Sequence, residues 1–221
     1  MSKRRAPFCV LVSGGLDSAV LLHRLLRAGH DVVPLYLRCG FHWETTELYW
    51  LRRFLRAVRS TRLSALQAVE VPLQSAYGTH WSLTGRRVPG ARSADRAVYL
   101  PGRNVLLLSV AAIVCARRRV STIAVGTLNG NPFGDASPSF FACLAQCLTR
   151  ALNYPIRILA PLHRFSKTQL IRRTTGVPLQ FTFSCLSPHG RLHCGRCNKC
   201  AERRRAFRHA GITDPTIYAQ H

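Results

Sequence analysis

The sequence predicts an α/β fold in which a parallel five-stranded sheet is doubly wound by helices, with a small appendage at the C-terminal end. Three observations carry this expectation. Apolar runs alternate with amphipathic stretches from Phe8 to Thr174, the first run stops at a serine–glycine–glycine turn, and four cysteines crowd the region where the alternation ends. A chain of 221 residues suits one such domain, since folding at this size removes roughly 70% of the unfolded surface from water. The α/β domain is expected over 1–180 and the appendage over 181–221.

Phe8-Cys9-Val10-Leu11-Val12 is a continuous apolar run, as a strand covered on both faces requires. From Ser18 to Ala28, Ala19, Leu22, Leu25 and Leu26 recur at helical spacing, and Gly29 ends the segment. Asp31 to Leu37 reads as the second strand. Trp43 to Val58 carries Trp43, Leu48, Leu51, Leu55 and Val58 on one helical face, and Ala65 to Leu73 has the β-branched and apolar content of a third strand. Gln74 to Ala97 shows no period and reads as a long excursion over the sheet's carboxyl edge, closed by Pro101-Gly102-Arg103-Asn104. Val105 to Ala116 is apolar nearly all round, as a helix between two layers is. A short strand over Thr122–Val125 leads into a second loop from Gly126 to Pro138, then a helix over Ser139–Leu152. Ile156–Leu162 is the fifth strand, and Ser166–Thr174 a short helix capped by Gly176.

Composition narrows the function classes. Hydrophobic residues make up 47% and charged residues 19%, a globular balance, and no apolar stretch approaches the roughly 20 residues that span a bilayer. The basic start Met1-Ser2-Lys3-Arg4-Arg5 is followed by a five-residue apolar run and a glycine turn, not by a signal-peptide core. Nine cysteines without a secretion signal point to reduced thiols, metal ligation and a cytoplasmic protein. The 32 Lys plus Arg against 9 Asp plus Glu give a net charge of +23, which either serves a nucleic-acid partner or is compositional drift, since the arginines are spread over nearly every segment.

Ser13-Gly14-Gly15-Leu16-Asp17-Ser18 lies where the first strand turns into the first helix. There, backbone N–H groups and the helix dipole converge on an anion, and the glycines let the backbone approach phosphate oxygens. Ser13 and Ser18 offer hydroxyls, and Asp17 is placed to hold Mg2+ or to orient the loop. The Gly-Lys-Ser/Thr of a Walker loop is absent, which disfavours γ-phosphate transfer. The hexapeptide resembles the signature of the PP-loop ATP pyrophosphatases, which have an adenine nucleotide alpha hydrolase-like fold and split ATP between its α- and β-phosphates to adenylate a substrate.

Cys185, Cys194, Cys197 and Cys200 are spaced Cys-x8-Cys-x2-Cys-x2-Cys. Four thiolates suit a closed tetrahedral Zn2+ site that pins a loop-rich tail, with an iron–sulfur cluster as the competing occupant. His189 and His193 lie between these ligands as solvated loop residues, and Cys9, Cys39, Cys115, Cys143 and Cys147 read as small core residues.

Three further pieces complete one pattern: Tyr99-Leu100-Pro101-Gly102-Arg103-Asn104, Ser166-Lys167, and Ser184-Cys185 with Arg203, Ala206 and Phe207 after the cysteines. Together with the phosphate loop and the cysteine spacing they resemble the 7-cyano-7-deazaguanine synthase family, in order from Phe8 to Phe207. The resemblance implies that 7-carboxy-7-deazaguanine, ammonia and ATP yield a nitrile, a queuosine precursor, through an adenylated acid, an amide and a second activation. It implies that Ser13, Gly14, Gly15, Leu16, Asp17 and Ser18 bind ATP, that Asp17, Arg103 and Lys167 serve catalysis, that the four cysteines hold zinc, and that the chain pairs as a homodimer. The bland alternatives are a surface turn for Arg103 and a solvated helix start for Lys167.

One loop departs from the family. Where the family shows Asp-x-Ser-Gly-Tyr-Pro-Asp-Cys-Arg, this chain has Asn131-Pro132-Phe133-Gly134-Asp135-Ala136-Ser137-Pro138-Ser139-Phe140-Phe141, in which Asp135 and Ser137 match and the later Asp, Cys and Arg do not. Three other readings stand beside the synthase: a relative that joins a similar acid to another amine, a tRNA-modifying PP-loop enzyme, and a non-catalytic zinc-bearing protein that binds nucleic acid or a partner.

Overall fold

A computed structural model describes residues 6–219; the basic run Met1-Ser2-Lys3-Arg4-Arg5 lies outside the described residues. Five parallel strands, β1 (Phe8–Leu11), β2 (Val32–Arg38), β3 (Gln67–Glu70), β4 (Thr122–Ala124) and β5 (Arg157–Leu159), lie in the order β3-β2-β1-β4-β5. The helices are α1 (Leu16–Arg27), α2 (Glu44–Ala57), α3 (Gln74–Tyr77), α4 (Trp81–Thr84), α5 (Arg103–Arg117), α6 (Pro138–Leu152), α7 (Lys167–Arg172) and α8 (Asn198–Ala210). The doubly wound parallel sheet expected from the alternation is present. None of the described helices is long and apolar enough to cross a membrane.

Alternation along the strands sorts the core into two layers. Val10 and its neighbour Ala124 face a cluster with Leu22, Leu51, Phe54, Leu170 and Phe207, from α1, α2, α7 and α8. Cys9 and its neighbour Ile123 face the opposite cluster with Leu108, Ala111, Phe141 and Ile158, from α5, α6 and β5. Pro34 is tolerated inside β2 because the ladder with β3 begins one residue later, at Leu35 opposite Gln67.

Three local expectations are corrected. The excursion from Gln74 to Ala97 is not featureless: it holds α3, α4 and the start of a 3-10 turn at Asp95–Val98, elements too short to show a period. α5 is covered on one side only; Leu108, Ala111, Ala112 and Cys115 are buried, whereas Ile113 remains 47% exposed because no layer of the described residues lies outside it. Cys143 and Cys147 point outward from α6, and only Cys9, Cys39 and Cys115 of the five are core residues.

The C-terminal segment is joined to the sheet layer through α8, whose Ala206 and Phe207 belong to the same core cluster as Val10. Beside them Arg203, 2% exposed, donates from Nε to Asp214 Oδ1 at 3.1 Å, from Nη1 to Thr182 Oγ1 at 2.8 Å and from Nη2 to the Leu179 carbonyl at 3.3 Å. A buried guanidinium is tolerable only while its donors are met. Asp214→Ala is expected to lower the unfolding free energy by about 3 kcal/mol, the loss typical of a buried pair broken on one side. Denaturant unfolding of the variant measures this, and an unchanged midpoint would show that Asp214 is dispensable to Arg203.

Candidate active site

A cavity of about 440 Å³ opens at the carboxyl ends of β1, β2 and β4, where the strand order reverses between β1 and β4. Its floor is the Ser13–Ser18 turn. Gly14 has φ 72°, a conformation that favours glycine, and a Cβ there would stand a tight 3.3 Å from Leu51 Cβ where α2 packs against the turn. The carbonyl of Gly14 accepts from the Phe183 N–H at 2.8 Å, which ties the turn to the segment entering the cysteine cluster. The Ser18 hydroxyl donates to the Gly15 carbonyl at 3.1 Å, and the Ser13 N–H donates to Ser18 Oγ at 3.3 Å. From the other side Gly126, just past β4, comes so close that a Cβ would lie 2.9 Å from the Ser18 nitrogen.

Four charged groups meet beside this turn. Lys167 Nζ lies 3.3 Å from Asp17 Oδ2 and 2.5 Å from Glu202 Oε1, and Lys199 Nζ lies 2.6 Å from Glu202 Oε2. Burial raises the Asp17 carboxyl above the ordinary range, and Lys167 offsets that only in part. Burial acts against the Lys167 ammonium, but Asp17 and Glu202 outweigh it and the net shift is upward. For Glu202 the burial effect is overcome by Lys167 and Lys199, which hold it down to about 2. Asp17 Oδ1 is buried without a hydrogen-bond partner, and so is Thr127 Oγ1, another lining residue. An unmet carboxylate oxygen at the floor of the cavity is a fitting position for a divalent cation.

Arg103 opens α5 and lines the cavity. Its helix start is held by Asp135, whose Oδ2 accepts from the Asn104 N–H at 3.0 Å while Asn104 Nδ2 donates to the Asp135 carbonyl at 2.9 Å. On the opposite wall the Tyr36 hydroxyl donates to Glu47 Oε2 at 2.6 Å. Burial, chiefly, pushes the Glu47 carboxyl up to about 8. Phe41 stacks on Trp43 with ring centres 4.9 Å apart, and Tyr99 on Phe133 at 4.8 Å; all four rings line the cavity.

Cys185, Cys194, Cys197 and Cys200 are buried, with their sulfur atoms all within 4.8 Å of one another. Zn–S bonds of about 2.3 Å in a tetrahedron set sulfur atoms about 3.8 Å apart, and the Cys185–Cys197 and Cys194–Cys200 sulfur pairs are at 4.0 Å. Backbone N–H groups of Ser187 and Cys194 point at Cys185 Sγ from 3.3 and 3.2 Å, as a thiolate ligand requires. The donor set fits zinc. His189 is exposed. His193 is not a solvated loop residue: it is 3% exposed and accepts the Ser184 N–H on Nε2 at 3.1 Å, and burial lowers its pKa to about 3.

The family model described as queuosine biosynthesis protein QueC matches residues 8–211. The chain belongs to this family. A 7-cyano-7-deazaguanine synthase of Anaeromyxobacter dehalogenans is 35% identical, over 96% of this chain and 95% of that protein. Another of Methanoculleus marisnigri is 33% identical, over 94% of this chain and 96% of that one. Among solved structures, a predicted subunit of tRNA methyltransferase from Methanocaldococcus jannaschii superposes with a TM-score of 0.52 at 16% identity, covering 98% of this chain and 94% of that one. A 4-thiouridine synthetase, solved as an RNA complex with bound ATP, gives 0.50 at 16%, over 93% of this chain and 50% of that one. Those two likenesses concern the fold. As a QueC-family member the chain is an enzyme of queuosine-precursor synthesis in an ATP-using family, and its cysteine cluster is consistent with zinc.

For this QueC-family chain the cavity gathers every candidate of the phosphate loop except Gly14, which lies beneath it, together with Arg103 and Lys167. Tyr36, Glu47, Gly126, Thr127, Lys199 and Glu202 line it too, and sequence reading did not single them out. Gly126-Thr127 was legible in principle, because a ligand at the switch point must touch the residues that follow the strand beside β1. Glu47 and Glu202 were hidden among the ordinary charges of amphipathic helices.

Two outcomes are expected. Metal analysis of the protein prepared without added metal finds one zinc per chain, and Cys200→Ser loses it with a lower unfolding temperature; iron with sulfide would refute zinc. Between about pH 4.5 and 8 the unfolded chain releases the Glu47 proton while the folded chain keeps it, so the stability Glu47 contributes at low pH is lost as pH rises through about 8. Glu47→Gln therefore flattens the fall of unfolding free energy over that window. Asp17 keeps a slope of the same sign in both proteins, and an equal slope in the variant would show Glu47 ionised throughout.

Proposed function

We propose that the chain adenylates 7-carboxy-7-deazaguanine at the expense of ATP and converts it with ammonia to 7-cyano-7-deazaguanine, the product its curated relatives are named for. The observation that carries the reading is the convergence of the Ser13–Ser18 turn, Arg103 and Lys167 on one cavity at the switch point of the sheet. Main-chain N–H groups at the start of α1 and the hydroxyls of Ser13 and Ser18 hold the β- and γ-phosphates, and Gly14 shapes the turn beneath them. Asp17, whose Oδ1 is unmet, would hold Mg2+, and the ion would supply neutralisation of phosphate charge. Arg103 and Lys167 face the charge that develops at the α-phosphate and at the departing pyrophosphate.

The substrate carboxylate is a poor electrophile because its charge is shared by two oxygens. One oxygen attacks the α-phosphorus of ATP, the bond to the β-phosphate bridging oxygen breaks, and pyrophosphate leaves. Ammonia then adds to the acyl carbon, AMP departs and an amide forms. The amide oxygen is adenylated by a second ATP, and loss of AMP and the amide protons leaves the nitrile. The aromatic walls, Phe41 on Trp43 and Tyr99 on Phe133, offer flat apolar faces to a planar heterocycle. Ammonia comes from solution or from another chain, the reduced cysteines suit the cytoplasm, and the uncovered apolar side of α5 suits a homodimer. The division at residue 180 is functional on this reading: the sheet domain carries the nucleotide, and 181–221 closes over it.

The test is pyrophosphate release from ATP with Mg2+ and 7-carboxy-7-deazaguanine, with and without ammonium, with products identified by mass. The nitrile is expected, and Asp17→Ala lowers kcat/KM about 100-fold or more. Pyrophosphate or AMP without nitrile would assign this site to another acid or another amine, the outcome the altered loop 131–141 favours if the synthase reading fails.

A further inference from the structure

Two charged side chains in the cavity, Lys199 and Glu202, belong to neither the phosphate loop nor the metal ligands. Both come from the first turns of α8, which starts at the cysteine cluster. We propose that they are working parts of the nucleotide site: Lys199 is a further ammonium for the polyphosphate, and Glu202 is the positioning residue that holds Lys199 and Lys167 at their places beside Asp17. This deepens the ATP reading and rests on it.

Glu202 uses its two oxygens separately, Oε1 for Lys167 at 2.5 Å and Oε2 for Lys199 at 2.6 Å. Each ammonium has three N–H groups. The carboxylates occupy two on Lys167 and one on Lys199, which leaves donors on both for an anion in the cavity. The four groups carry two positive and two negative charges, so the cluster is neutral when it is alone. An arriving polyphosphate competes with Glu202 for the lysines, so Glu202 fixes their positions for the reaction and not their affinity for the nucleotide.

A solvated surface pair on α8 would look different. Lys167 and Glu202 are each only 22% exposed and reach toward one another from α7 and α8. The backbone that carries Lys199 is also fixed on both sides. Cys200 is a member of the sulfur cluster, and the fully buried Asn198 donates from Nδ2 to the Ser93 carbonyl at 2.9 Å and from its N–H to the Pro89 carbonyl at 2.9 Å. Lys199 is thus held between two anchored neighbours.

Calorimetric titration of ATP with Mg2+ into the zinc-loaded full chain, alongside pyrophosphate-release kinetics, separates the roles. Lys199→Ala is expected to bind ATP about 10-fold more weakly, with partial recovery in Lys199→Arg. Glu202→Gln removes a competing anion, so its ATP affinity is equal or tighter, while kcat falls about 10-fold or more because Lys167 loses its place; Glu202→Asp recovers part of kcat. Unfolding midpoints of the same samples guard against a merely structural effect. Wild-type binding with both variants indistinguishable from it would overturn this proposal and leave the ATP reading intact, as would losses of affinity and turnover that track a lowered midpoint. A wild-type chain that binds no ATP would overturn the ATP reading and this proposal with it.

Discussion

Four sulfur atoms within 4.8 Å of one another fix the direction in which α8 leaves the knuckle, and the far wall of the cavity depends on that direction. Upstream of the first sulfur, the Phe183 N–H is bonded to Gly14 in the phosphate loop. Downstream of the last, Glu202 meets Lys167, and Phe207 enters the sheet core. A segment with few apolar residues is thereby tied at both ends to the nucleotide side of the sheet. Metal binding free energy, about 10 kcal/mol or more at a structural zinc site, far exceeds what the short β-bridges around His189 and His193 supply.

Net charge and local charge differ in this molecule. The chain carries +23, yet the groups beside Asp17 balance to neutrality, and their carboxylates come from α1 and α8. Five of the nine acidic residues, Asp17, Glu47, Asp95, Asp135 and Glu202, line this one cavity. Some of the arginines have a mundane use: Arg53 lies over Tyr49, Trp50 and Phe181, and Arg204 over Tyr218, where the guanidinium plane packs as an apolar surface. These stacks need no nucleic-acid partner.

The strands and long helices were legible because each has one dominant period; helix ends moved by a residue or two, while β3 stops at Glu70 and β5 at Leu159, each three residues before the expected end. Lys167 opens α7 behind a Ser166–Gln169 capping box, as Ser166-Lys167 suggested. Arg103 became the first residue of α5, two positions before the apolar run, because Asp135 meets the Asn104 N–H from another segment. Contacts of that kind leave no trace in spacing. The same holds for His193, whose burial comes from Phe183 and Tyr218 closing on its ring, and for Glu47, whose partner Tyr36 points from β2. Periodicity reports the face that a residue's own helix buries, not the partner that reaches it from elsewhere.

The altered loop keeps what the architecture needs and changes what a substrate would touch. Asp135 stays, and its carboxylate serves α5 directly, so its loss would release the Arg103 end of that helix as well as any ligand contact. Ser137 stays, and its hydroxyl accepts the Phe140 N–H at 3.2 Å as the cap of α6. The family's later Asp, Cys and Arg fall at Phe141, Ala142 and Cys143 within α6, where Phe141 is turned into the core and the other two are exposed. Phe133 instead brings an aromatic face to the cavity against Tyr99. On the proposed function, this stacked pair would meet a flat heterocycle where the family's pattern has polar side chains. On the opposite wall Tyr36 and Glu47 present a hydrogen-bonded polar pair to the same cavity.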